Sequence, residues 1–159
     1  MDHDKELRSH IVNLLKGGQA YMPFDTVIAD FPREHMNTAF PNGTYSPWHL
    51  LEHIRRTQFD ILEFMKNPDY KEREWPKDYW PVKDDKAAQK DWEKTISGFQ
   101  KDRNELEKMV MDQKLDLFKK VPWGDGQTYL REFLLVADHN SYHLGEFSIM
   151  RQVMGTWKK

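Results

Sequence analysis

Four stretches of this chain carry apolar residues at helical spacing over several turns, and none alternates with the two-residue period of a strand. The first spacing predicts a helix from Asp4 to about Ala20, with Leu7, Ile11, Leu14 and Leu15 on one face and Gly17-Gly18 weakening its end. A short turn around Phe24 to Asp30 and an irregular loop follow, because Pro23, Pro32, Pro41 and Gly43 punctuate that region. Ser46 as N-cap and Pro47 at the first helical position announce a second helix that meets no breaker before about Lys66. The third runs from about Asp84 to Asp112, and the last from about Thr128 to Met154, with Gly155 as its stop. The last carries apolar residues around much of its circumference, so it is expected to be the most buried of the four. Four long helices and no strand predict an all-α fold, a four-helix bundle, and 159 residues suit one domain over 1–159.

Composition removes several classes of function. Cysteine is absent, so disulfides, thiolate metal sites and a cysteine nucleophile are excluded. The 24 basic and 26 acidic residues give no basic field for nucleic acid, and the clusters Lys119-Lys120 and Lys158-Lys159 read as solvated surface. No glycine-rich loop cradles phosphate, and no Gly-x-Ser-x-Gly elbow serves a serine hydrolase. With 31% charged residues and a mean hydropathy of -0.87, no segment approaches a membrane span. The start, Met1-Asp2-His3-Asp4-Lys5-Glu6, is polar and unlike a secretory signal. The expected compartment is therefore the cytoplasm. The connection 67–83 holds Pro68, Pro76 and Pro81 with Trp75, Tyr79 and Trp80, and is expected to pack on the bundle or on a partner.

Histidine carries the chemistry. Two of the seven histidines are His49 and His53, and two more are His139 and His143. A spacing of four places each pair on one helix face, one turn apart, within reach of a shared ion. On the last helix the stripe at 132, 136, 139, 143, 146 and 150 reads Glu132, Val136, His139, His143, Glu146, Met150. Polar side chains on a buried helix need partners, and two readings stand side by side: hydrogen-bonded core histidines facing carboxylates, or metal ligation. Two imidazoles rarely hold an ion tightly, so a third ligand is sought on the second helix. His53 lies one turn inside that helix and is favoured. His49 sits in the first turn and reads as a neighbour, while His3, His10 and His35 have no helical partner histidine and read as exposed or locally bonded. A carboxylate pair from Glu132 and Glu146 fails, since about 20 Å of helical rise separates them. The Glu-x-x-His order of carboxylate-bridged di-metal bundles is also missing.

The run Ala137-Asp138-His139-Asn140-Ser141-Tyr142-His143-Leu144-Gly145-Glu146, with Thr128 to Glu132 before it and Arg151 and Gly155 after it, resembles the last helix of the DinB-like superfamily. Ser46-Pro47-Trp48-His49-Leu50-Leu51-Glu52-His53-Ile54-Arg55 is similar to its second helix, and Trp75-Pro76 with Tyr79-Trp80-Pro81 to the loop of one branch. The resemblance implies an up-down-down-up bundle holding a divalent metal, zinc or nickel, on His53, His139 and His143. It also implies a metal-dependent enzyme of the bacillithiol-like thiol S-transferase type, or a related hydrolase or isomerase, acting on small molecules with a low-molecular-weight thiol. Glu146 is then the group that fixes an imidazole tautomer or works as acid or base, with Asp138 the weaker candidate. The alternative is a non-catalytic, stress-related binding module with a structural or vestigial metal site. Apolar residues on several helix sides and the habit of look-alikes suggest a homodimer. No nucleic acid or membrane partner is expected.

Overall fold

The computed structural model describes residues 3–157, so Met1, Asp2 and the pair Lys158-Lys159 lie outside the described residues. The order is α1 (His3–Lys16), α2 (Phe24–Ile28), a 3-10 turn (Arg33–His35), α3 (Pro47–Lys66), α4 (Gln89–Met111) and α5 (Tyr129–Val153). Among the described residues there is no strand, only an isolated antiparallel bridge between Lys120 and Thr128. The all-α expectation holds. No helix of the described residues is long and apolar enough to cross a membrane.

The helix ends follow local chemistry. Ser46 Oγ accepts from the His49 amide and Thr128 Oγ1 from the Arg131 amide, which satisfies free donors at the starts of α3 and α5. α1 stops at Lys16, short of Ala20, because Gly17 and Gly18 adopt φ of +76° and +83°. α4 starts at Gln89 rather than Asp84. The Asn37 side chain bonds both the N–H and the C=O of Ala87, at 2.8 and 2.9 Å, and keeps that residue out of the helix. α5 closes with Gly155 at φ +64°, the Gly155 amide on Gln152 O and the Thr156 amide on Arg151 O, a Schellman ending.

α3 packs against α4 and α5, and α1 against the same two helices from the other side, while α2 leans on α5. α3, not α5, is the most enclosed: 13 of its 20 residues are buried, against 10 of 25 in α5. α5 leaves Leu134, Tyr142, Ile149 and Val153 exposed. Its apolar circumference was a poor guide because burial depends on neighbours as well as on side-chain type.

The core divides in two. Trp92, Phe99, Leu50, Leu51, Ile54 and Phe147 anchor one cluster. Ile11, Leu62, Leu106, Val110, Phe133 and Val136 anchor the other. At the level where α3 and α5 pass between these clusters sits a polar layer. Gln58 donates to Phe99 O at 2.8 Å, and Asn140 donates to Gln58 Oε1 at 2.9 Å. His53, His139 and His143 belong to the same level of the two helices.

Candidate metal centre

α3 and α5 bring three imidazoles together. His53 Nε2 lies 3.1 Å from His139 Nε2 and 3.2 Å from His143 Nε2. One nitrogen from each ring falls within 4.8 Å of the other two. His139 and His143 meet because they are one turn apart on α5, and His53 faces them from α3.

The outer nitrogens decide where the protons sit. His53 Nδ1 is 3.0 Å from the carbonyl of Tyr79, which can only accept, so this nitrogen donates. His143 Nδ1 donates to Glu146 Oε2 at 2.7 Å. Both rings in their neutral form therefore turn a bare Nε2 lone pair toward the shared point. The 3.2 Å contact between them holds no proton. His139 Nδ1 is buried without a partner, and its Nε2 could supply at most one proton to the cluster. Extra protonation is resisted. Burial, then the neighbouring His143 and His53, holds His139 down at about 3. Burial and His53 hold His143 at about 4, and burial likewise lowers His53. Lone pairs this close call for a positive centre that is not a proton. Two imidazoles about 2.0–2.1 Å from a tetrahedral ion stand about 3.4 Å apart, near the spacing observed. The donor set fits a divalent metal ion.

Aromatic residues wall the centre. The Trp80 ring stacks on His53 with centroids 3.8 Å apart and planes 6° from parallel. Trp75 and Tyr142 meet His53 and His143 edge-on. The aromatic connection thus packs on the bundle, over the histidines.

The remaining sequence candidates divide. Glu146 stands where the stripe placed it, against His143, with its carboxyl pushed up by burial. Asp138 is exposed and is not one of the groups that converge there. His49 is not among the three clustered rings, and both its nitrogens are engaged elsewhere: its Nδ1 lies 2.6 Å from Ser46 Oγ and its Nε2 3.0 Å from Val82 O. First-turn position did not expose this ring, because the connection folds back over it. His3 and His10 are exposed and His35 half-buried, and none of them is among the three clustered rings. Tyr79, Trp80 and Arg56, which donates to Trp80 O at 2.9 Å, were not identifiable as site residues from spacing alone. The signal was the density of aromatic residues in a connection too polar to form a core by itself.

A bundle with a His-x-x-x-His helix and a third histidine facing it defines a class, the all-α proteins with a three-imidazole centre. The chain belongs to the DinB superfamily, whose sequence model matches residues 18–147. That span contains the three histidines and the aromatic connection. Neither a curated protein nor a solved structure matches the chain.

Proposed function

We propose that the chain is a metal-dependent enzyme acting on small molecules, of the thiol-transferase type, with zinc or nickel held by His53, His139 and His143. The observation that carries this reading is the 3.2 Å meeting of the His53 and His143 Nε2 lone pairs with no proton between them, with His139 Nε2 converging on the same point 3.1 Å from His53 Nε2. Family membership supports it. Three neutral imidazoles would leave an ion its full charge and open positions, so it would supply Lewis acidity able to activate a thiol or water near neutral pH.

The chain's own residues prepare that chemistry. Tyr79 O and Glu146 hold the protons of His53 and His143 on Nδ1 and so free Nε2. Trp80 shields one face of His53 from water. Glu146, its proton affinity raised by burial, strengthens His143 as a donor and is suited to take a proton when a substrate thiol loses one.

A second reading, an ion that only ties α3 to α5, is favoured by the Trp80 ring laid over His53. Elemental analysis together with turnover separates the two. The enzyme reading expects about one divalent ion per chain and metal-dependent conversion of small electrophiles by bacterial thiols. His139→Ala should abolish both. Unchanged turnover in that variant would overturn the enzyme reading, while loss of fold on chelation without any turnover would favour the tie.

A further inference from the structure

One stripe of α3 at positions 49, 53, 56 and 60 engages a single short run of the aromatic connection. His49 meets Val82 O, His53 donates to Tyr79 O and Arg56 donates to Trp80 O. Asp60 completes the stripe from one turn further on. Its Oδ2 accepts from the Tyr79 hydroxyl at 2.6 Å, and its Oδ1 accepts from the Tyr70 hydroxyl at 3.0 Å and from Arg73 Nε at 2.9 Å. Spacings of four, three and four keep all four side chains on one face.

Tyr79 is therefore held at both ends. Its phenol is fixed by Asp60 and its carbonyl touches the imidazole that must offer Nε2 to the ion. Asp60 itself is buried, and its bonds go to Tyr79, Tyr70 and Arg73 rather than to a histidine. We infer that Asp60 is a positioning residue for the metal centre, acting through Tyr79 to fix the orientation and tautomer of His53. The inference rests on the metal reading for its affinity readout, while its tautomer readout does not.

The chemistry supports a relay of this kind. A backbone carbonyl is a ligand partner only while its peptide is held still, and an aromatic side chain anchored at its far end stops the peptide from turning. Burial, then the bond to Asp60 and its charge, raises the Tyr79 phenol above its ordinary value, so it is a protonated donor at neutral pH. Partners of ligand imidazoles commonly change metal affinity about 10–100-fold when removed. Tyr70 provides an internal control. It shares Asp60, on the other oxygen, and its hydroxyl also interacts with that of Tyr79, but it lends no carbonyl to His53.

The test uses the full chain and three variants, Asp60→Asn, Tyr79→Phe and Tyr70→Phe. Zinc affinity is measured by chelator competition, and the His53 tautomer by nitrogen-15 NMR of the imidazoles in metal-free protein. The expected result is zinc affinity about 10–100-fold weaker in Asp60→Asn and Tyr79→Phe, near wild type in Tyr70→Phe. The His53 Nδ1-H signature is lost or averaged in the first two only. If Asp60→Asn does not fold, Tyr79→Phe alone decides, since it removes one hydroxyl. Wild-type affinity and tautomer in Tyr79→Phe would overturn the relay, as would an equal loss in Tyr70→Phe. Absence of zinc binding in wild type would remove the metal reading, and the tautomer comparison would still decide the relay.

Discussion

At the scale of single residues, the centre depends on imidazoles that stay neutral. An unfolded chain protonates its histidines below about 6.5. In the fold His143 takes a proton only near 4 and His139 only near 3. Between these values the unfolded state binds more protons, so the pair's contribution to stability is present above about pH 6.5 and is lost as pH falls toward 4 and 3. In chelator-treated protein the wild type should therefore lose more of its urea midpoint between pH 7 and pH 5 than His139→Gln/His143→Gln does. An equal loss in both would refute the assignment. Glu52 is a second residue-scale test. Its buried carboxylate accepts from Arg55, Arg56 and Thr95, which hold its pKa down against burial. Glu52→Ala removes the carboxylate partner of two guanidinium groups beside His53. It should cost about 2–3 kcal/mol in chemical denaturation, and a cost under about 0.5 would show the network to be ornamental.

At the scale of elements, the long helices were readable because the 3.6-residue period, the cap at Ser46 and the stop at Gly155 are local features. The His-x-x-x-His pair was readable for the same reason, since spacing within a helix determines proximity. What joins segments far apart was not. Arg8 is buried in α1 and donates to Val110 O, Asp112 O and Leu115 O, capping the end of α4. Arg151 is buried in α5 and donates to Val27 O, Ala29 O and Thr156 O while lying over the Trp157 ring at 3.9 Å. A sequence shows only two charged residues within helices, and nothing in their neighbours names the carbonyls they serve. The same gap hid Tyr79, whose role runs through its backbone oxygen, an atom every residue has. Arg151→Met retains length and apolar stem but leaves three carbonyls unmet. It should lower stability by about 3 kcal/mol in urea unfolding, against about 1 for Gly155→Ala, which strains one left-handed turn. The reverse ranking would mean that Gly155, and not the arginine, holds the end of α5.

At the scale of the whole molecule, the two apolar clusters lie on either side of the layer formed by Gln58, Asn140 and the histidines. Hydrogen-bonded side chains there have fixed partners, so small changes in one cluster have little to push against in the other. Ile54→Val in the first and Ile11→Val in the second should each cost about 0.5–1.5 kcal/mol, and the pair should add within about 0.5. A double-mutant cycle measures this. A coupling beyond about 1 kcal/mol would mean that the layer transmits strain between the halves.

His53 stands 86 residues from His139 and 90 from His143 in the chain. A denatured polypeptide would offer a cation no more than two histidines four residues apart, so full affinity would arise only after the two distant segments have docked. Uptake of the ion would then count correctly assembled molecules, and a depleted supply would be felt first by those still maturing.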